Sequence, residues 1–269
     1  MAMSTLEPAG QPTASARDDP SHALLTSLAL VRLRNGLPLW TSLAPPLAIA
    51  ALLVIAVFVG AEHGQERVWD RWFGLTLYIW AILAPMLAGL YAVGSHQADE
   101  GAKRVMYSYA FPRRRLLLAD ILALTTLWAG SALLFAALVA LAALANGTPT
   151  DAGPAVAGAL LPVLAALPTL VLCVIAAEAW GLAGATCVGV AGMLFGALTG
   201  DKPYWWVFPP AWPTRAVIPV AEAGGFTGYY ADGDPMLSLS VLPVIAIAAL
   251  TLRQCIQPLE NLPVVRHHH

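Results

Sequence analysis

Six stretches of this sequence run for 17 to 29 residues with almost no charge, and they constrain the fold more than any other feature. Asp120 is the one charged side chain inside them. A membrane-crossing helix needs about 20 mostly apolar residues. Spanning strands would alternate in polarity, and these runs do not. We therefore predict an all-α integral membrane protein with six transmembrane helices, at residues 37–60, 73–94, 116–144, 154–177, 182–199 and 236–252.

The composition excludes a water-soluble domain of ordinary type. Hydrophobic residues make up 58% of the chain and charged residues 11%, with a mean hydropathy of +0.69. Soluble domains carry about 25% charged residues. The net charge of −2 also argues against a nucleic-acid-binding surface. The three cysteines lack the spacing of a zinc site or a disulfide framework, so we interpret them as small buried hydrophobes.

Basic residues indicate which side of the membrane each connection faces. With six spans, ten of the fourteen lysines and arginines fall on the side that holds both termini, and four fall on the other. We therefore predict that both termini are cytoplasmic. Residues 1–20 form a predicted disordered tail, 21–255 the six-span domain, and 256–269 a tail ending in the remnant of a histidine tag.

The segment 21–40 precedes the first span and has a partly apolar face. Leu24, Leu28 and Val31 follow helical spacing, and Arg32 lies beside them. This pattern predicts a short amphipathic helix at the cytoplasmic interface, with its arginines towards lipid headgroups. A plain positive-inside anchor is the alternative.

The connection 95–120 combines charges with aromatic residues on the predicted cytoplasmic side. Asp99 and Glu100 favour the start of a short helix, and Pro112 would end the helical stretch before Arg113. The aromatic and apolar cluster predicts a contact with another protein, because such residues are favoured at interfaces. An aromatic belt on the membrane surface is the alternative. The residues of the predicted contact are Asp99, Glu100, Arg104, Met106, Tyr107, Tyr109 and Phe111.

The connection 200–235 is long, rich in proline and aromatic. We predict that it forms two short re-entrant or interfacial helices and carries an aromatic belt at the outer membrane boundary. Simple anchoring in the membrane is the alternative role for each tryptophan. The belt consists of Tyr204, Trp205, Trp206, Phe208 and Trp212.

Two further features concern the spans themselves. Gly189, Gly192, Gly196 and Gly200 mark one predicted helix, and we expect them to pack against another helix of the same chain rather than to form a dimer. Glu178 lies near the cytoplasmic end of its span, where a structural role is expected and a proton relay is the alternative. The sequence contains no motif of a hydrolase, a metalloprotease or a nucleotide-binding loop.

Together these segments resemble the ABC type-2 exporter permeases, and within them the lantibiotic-immunity branch. The resemblance covers most of residues 24–255. Asp120 departs from it, since a lysine is common there in the family. The matching positions are the basic segment 31–38, Glu100 with SYAFPR at 108–113, EAW at 178–180 followed by the glycines of 184–200, WWVFP at 205–209 and WP at 212–213.

The resemblance implies six spans, a cytoplasmic coupling helix between the second and third, and a separate ATPase subunit docked on that helix. ATP and Mg would be bound by the partner ATPase, and this chain would hold no cofactor. A second permease, identical or related, would pair with it in the bacterial plasma membrane and remove an antimicrobial peptide. The alternatives are an exporter of another lipophilic substrate, a membrane enzyme or a structural subunit.

Overall fold

The computed structural model describes residues 21–62, 68–106, 113–200 and 202–223. Within them every regular element is helical, which confirms the all-α class over this part of the chain. The predicted span 236–252 and both predicted tails lie outside the described residues. The main helices are α1 (His22–Leu33), α2 (Leu37–Glu62), α3 (Val68–Met106), α4 (Arg113–Ala145), α5 (Ala152–Thr199) and α6 (Trp212–Ala223).

Four helices of the described chain are long and apolar enough to cross a membrane. They correspond to Leu37–Ala61, Val68–Ala98, Arg115–Ala145 and Pro149–Thr199. The last of these includes a 3-10 turn at Pro149–Asp151 and contains two predicted spans, 154–177 and 182–199, in one continuous element. Its 51 residues far exceed the length that one crossing requires.

A break at Gly181 explains that length. Gly181 has φ 70° and ψ −158°, a conformation that is essentially restricted to glycine. It divides α5 into a first limb, residues 152–180, and a second limb, residues 182–199. The first limb runs parallel to α3: Trp69 donates a hydrogen bond to Asp151 at 2.6 Å, and Trp80 donates one to the Ala159 carbonyl at 3.0 Å.

The second limb runs back along α3 in the opposite direction. A Cβ placed on Gly89 would lie 3.0 Å from both the Ala185 carbonyl oxygen and the Cα of Gly189. Further along the limb, a Cβ on Gly192 would meet Pro85 at 3.2 Å. The contacts thus move backwards along α3 as the second limb advances, so the chain reverses direction at Gly181.

Large aromatic side chains fill the core between α3, α4 and α5. The rings of Trp80 and Phe135 stack with centroids 4.5 Å apart, and both side chains are fully buried. Tyr91 lies 5.8 Å from Trp128, which is also fully buried. In contrast, α2 exposes most of its apolar residues, as a helix does when its outer side faces lipid.

Candidate functional site

The bundle has two ends that differ in chemistry. The loop end is where α3 finishes at Met106 and α4 begins at Arg113. The aromatic end is where α3 begins at Val68 and where the segment 202–223 lies. Each end contains one of the two candidate contact surfaces.

At the loop end, α3 continues past the membrane-spanning part without a break. Its 39 residues extend about 58 Å, against about 30 Å for the hydrocarbon core of a bilayer. The expected separate helix starting at Asp99 is therefore not observed: Asp99, Glu100, Arg104 and Met106 form the last turns of α3. The remaining predicted contact residues, Tyr107, Tyr109 and Phe111, lie outside the described residues.

A charged pair joins α1 to the first turns of α4. Arg32 donates a hydrogen bond from Nη2 to Oδ1 of Asp120 at 2.6 Å, and the two side chains are 27% and 14% exposed. Arg32 thus points to a carboxylate within the protein and not to lipid headgroups as predicted. An aspartate can occupy position 120 because an arginine on the interface helix neutralises it.

The remaining faces of α1 agree with an interfacial helix. Ser21 caps its first turn by accepting a hydrogen bond from the Leu24 amide at 3.2 Å. Ala29 and Leu33 are buried, whereas Leu24, Leu28 and Val31 are exposed on its outer side. The apolar stripe recognised in the sequence is therefore directed away from the protein, where lipid would cover it.

A second polar contact at the loop end links α3 to the turn of α5. His96 Nδ1 lies 3.9 Å from Glu178 Oε1, and each side chain is about one-fifth exposed. Glu178 is three residues before Gly181, at the end of the first limb. This position near the end of the span agrees with the location expected from the sequence.

At the aromatic end, the predicted belt separates into exposed and buried members. Tyr204 and Trp206 are more than half exposed, whereas Trp205 and Phe208 are partly buried. Trp212 is only 3% exposed: it donates a hydrogen bond to the Trp206 carbonyl at 3.1 Å and packs with Ala165 and Ala216. Trp212 is therefore a core residue and not a boundary residue, because α6 folds back against α5.

Over its described residues 202–223, the segment that carries this belt forms two 3-10 turns and one α-helix, where two short helices were predicted. The 3-10 turns Trp205–Val207 and Pro209–Ala211 precede α6, which is the longer helix of the segment. Consecutive prolines favour such short turns because they remove backbone donors. Buried Val217 and Ile218 show that α6 packs on the bundle.

The predicted glycine face of the second limb lies against other parts of the same chain. Gly189 faces Gly89 of α3, and Gly192 lies between Pro85 and Pro210. A Cβ on Gly196 would meet the Pro210 carbonyl oxygen, and one on Gly200 would meet Thr214 at 3.3 Å. These close approaches allow the turn before α6 to pack directly on the backbone of α5.

A buried series of hydrogen bonds, which the sequence pattern does not reveal, connects α3 to α2. Ser42 donates a hydrogen bond to the Pro38 carbonyl at 2.7 Å, so the 2.9 Å contact with Tyr91 is one in which the phenol donates to Ser42. Trp128 Nε1 and Ser131 Oγ are buried without a hydrogen-bond partner among the described residues. The sequence shows only that hydroxyl-bearing residues lie inside the predicted spans. Which of these hydroxyl groups bond to each other depends on the tertiary structure.

The described residues bring together no group of three histidine, cysteine, aspartate or glutamate side chains that could hold a metal ion. The groove between α2 and α4 is lined by apolar residues alone: Leu47, Ala50, Ala51, Val54, Ile55 and Leu138. The chemistry of the described surface is thus concentrated at the two ends of the bundle. Comparisons of this chain with protein-family models, with curated proteins and with solved structures give no match.

Proposed function

We propose that this chain is the membrane-spanning permease subunit of an ATP-driven exporter, and that it removes a lantibiotic-like antimicrobial peptide from the bacterial plasma membrane. The resemblance of its short motifs to type-2 permeases supports this proposal, as does the all-helical bundle of long apolar helices. The chain would bind no ATP itself. ATP and Mg would belong to a partner ATPase, and a second permease would complete the pathway.

The observation that carries the proposal is that the helices on both sides of the loop 107–112 lie against other elements of the bundle. On one side, α3 enters the loop eleven residues after His96, which faces Glu178 at the turn of α5. On the other side, α4 leaves the loop and is joined to α1 seven residues later, where Asp120 binds Arg32. A partner that presses on the loop would act on two helices that contact α1 and the α5 turn, which is the arrangement that coupling needs.

The six-span layout is part of the proposal. The reversal at Gly181 supports counting the two limbs of α5 as two crossings, and residues 236–252 would supply the sixth. With six spans, ten basic residues lie on the side of the termini and four on the other side, which favours cytoplasmic termini. The loop end would then face the cytoplasm and the aromatic end the outside.

The substrate surface would lie at the aromatic end. Tyr204 and Trp206 are exposed there, and aromatic rings of this kind are stable at the membrane–water boundary. An amphipathic peptide inserted in the outer leaflet would reach the same depth. Among the described residues of the predicted belt, these two and the partly buried Trp205 and Phe208 are the side chains available for contact with it.

ATPase docking is tested by replacing Tyr107 and Tyr109 with alanine. If the loop binds the ATPase, it loses its aromatic contacts and the ATPase no longer co-purifies in detergent, while the permease keeps its helical circular dichroism. Tyr204→Ala is the matched control, since it removes an exposed tyrosine at the opposite end. Unchanged co-purification of the double variant would refute docking through these tyrosines.

Export is tested by the peptide sensitivity of cells that carry the complete complex. We expect protection with the active complex, and loss of protection with an ATPase-dead partner or with Trp205 and Trp206 changed to alanine. If the active and ATPase-dead complexes give equal tolerance to a panel of lantibiotic-like peptides, immunity is excluded. An exporter of another lipophilic substrate would remain if the ATPase still binds the loop.

A further inference from the structure

Arg215 lies on the first turn of α6 at the aromatic end, and an aromatic ring holds its side chain in place. The guanidinium carbon is 5.6 Å from the centroid of the Trp205 ring, within the range of a cation–π contact. Trp205 is itself partly buried and packs against the cluster of Trp212, Ala165 and Ala216. The position of the guanidinium is therefore determined by the fold.

Within the described residues, the Arg215 guanidinium lacks a hydrogen-bond acceptor for at least one of its N–H donors. Its Nε is buried without a hydrogen-bond partner, and no described carboxylate lies within 4.0 Å of the side chain. Glu222 is two helical turns further along the same face of α6, about 10 Å in axial rise, and its side chain is exposed. Desolvation raises the pKa of its carboxyl and the charge of Arg215 lowers it, so the two groups interact electrostatically without an ion-pair contact. A guanidinium has five N–H donors and no acceptor. The buried Nε cannot be reached from outside, whereas the two terminal nitrogens are not among the buried unpartnered atoms and can donate to an anionic oxygen.

The depth of Arg215 identifies which anion is available. Exposed Tyr204 and Trp206 are its near neighbours in the chain segment, and such residues lie at the level of lipid headgroups. The second limb of α5, about 27 Å long, ends just before this segment. Phosphate oxygens are the main anionic groups at that level of a bilayer, and the planar guanidinium fits them with two parallel hydrogen bonds.

We propose that Arg215, oriented by Trp205, binds the phosphate of a phospholipid headgroup at the aromatic end of the bundle. The bound lipid would be held in the outer leaflet if the orientation proposed above is correct. The site itself requires only that the bundle is inserted in a membrane, so it stands or fails independently of export. Its ligand is one phosphate-bearing lipid, with the exposed Trp206 available to cover the glycerol region.

The test is native mass spectrometry of the full-length chain in detergent, titrated with phosphatidylglycerol. Diacylglycerol with the same acyl chains is the probe that lacks phosphate. We expect one tightly retained phosphatidylglycerol on the wild type and none of comparable affinity with diacylglycerol. Arg215→Gln is expected to weaken that site about tenfold or more, the effect of losing a charge-assisted bidentate contact.

Arg71→Gln is the matched control. Arg71 is an exposed arginine near the start of α3, at the same end of the bundle, so its loss changes the net charge equally. We expect its lipid affinity to equal that of the wild type. Equal weakening in both variants would reveal a general charge effect and would overturn the proposal.

Two competition arms distinguish the source of the anion. Inorganic phosphate at the same concentration is expected not to displace the lipid, and displacement would mean a free-phosphate site. A short peptide with a free carboxylate that displaces the lipid, while its amidated form does not, would assign Arg215 to a peptide terminus and overturn the lipid proposal.

If thermal melting shows that the Arg215→Gln variant does not fold, the same titration is made with Arg215→Lys. Lysine keeps the positive charge but loses the planar fork, so we expect its lipid affinity to fall below that of the wild type. Wild-type affinity in a folded Arg215→Lys variant would contradict the guanidinium–phosphate geometry.

Discussion

Arg32 and Asp120 are separated by 88 positions in the chain, yet their side chains meet at 2.6 Å and fasten the interface helix α1 to the start of α4. The contact satisfies the one carboxylate found inside the predicted spans. It also places α1 beside the first turns of α4, the helix that follows the loop where the sequence predicts a partner. The pair is mostly buried, so its removal has a measurable cost.

Replacing Asp120 with asparagine should destabilise the protein. Arg32 would lose its 2.6 Å charge-assisted hydrogen bond to the Asp120 carboxylate, at a cost of about 1–3 kcal/mol for this partly exposed pair. Adding Arg32→Gln to Asp120→Asn should cause less loss than Arg32→Gln causes alone, since the contact between the two side chains is already lost. The measurement is thermal unfolding in detergent, analysed as a double-mutant cycle. Arg34→Gln, an exposed neighbour, is the control, and an equal loss there would contradict a specific pair.

Gly189→Ala should destabilise the contact between the second limb of α5 and α3. The new Cβ would lie 2.9 Å from the Cα of Gly89 and 3.2 Å from the Pro85 carbonyl oxygen, so the two backbones must move apart. We expect a loss of about 1–3 kcal/mol, the usual cost of overpacking.

Gly130→Ala is the matched control for that change. It makes the same substitution in a helix where a new Cβ has no neighbour within 4 Å. We expect Gly130→Ala to be neutral or slightly stabilising, because alanine is the better helix former. The free energy of unfolding of the two variants is compared by titration in mixed detergents. Equal values would argue against the close approach of the Gly189 and Gly89 backbones.

Gly181→Ala should weaken the reversal of α5 through backbone strain alone. No atom lies within 4 Å of a Cβ at this position, but φ is 70°, so a side chain is unfavourable by about 1–3 kcal/mol. We expect a lower melting temperature and faster proteolysis near the turn. Gly153→Ala, which also introduces a Cβ into open space but has no positive φ, provides the comparison. A melting temperature equal to that control would show that the turn tolerates alanine.

Tyr91→Phe should remove the hydrogen bond to Ser42 in the bundle interior and lower the stability by about 1 kcal/mol. Tyr204→Phe removes the same hydroxyl from an exposed tyrosine and is expected to be neutral. Thermal melting of the two variants in the same detergent provides the measurement. Equal melting temperatures would mean that the buried contact adds nothing to stability.

The proposed orientation predicts that a cysteine at Thr150 is labelled by an impermeant thiol reagent in intact cells. Thr150 lies in the exposed turn before α5, at the aromatic end. A cysteine at Ala110, in the loop between α3 and α4, should be labelled only after permeabilisation. The background should lack the native cysteines, since Cys187 is exposed and not buried as predicted. The opposite labelling pattern would reverse the orientation and remove the basis for ATPase docking at the loop.

The sequence alone determined the helical class, because a charge-free run of membrane length can satisfy its backbone only within a helix. It also located the glycines of α5 and the break beside Glu178, since polar and glycine residues stand out in so apolar a chain. The apolar stripe of α1 followed from spacing alone.

Only the tertiary structure decided which polar groups meet. Nothing in the local pattern connects Arg32 with Asp120, or Tyr91 with Ser42, because each contact depends on which helices are neighbours. The burial of Trp212 follows from α6 folding back on α5, and a sequence pattern treats all tryptophans near a membrane boundary alike. The local sequence determines where a helix starts and ends. Which of its faces is buried is determined by the helices that pack against it.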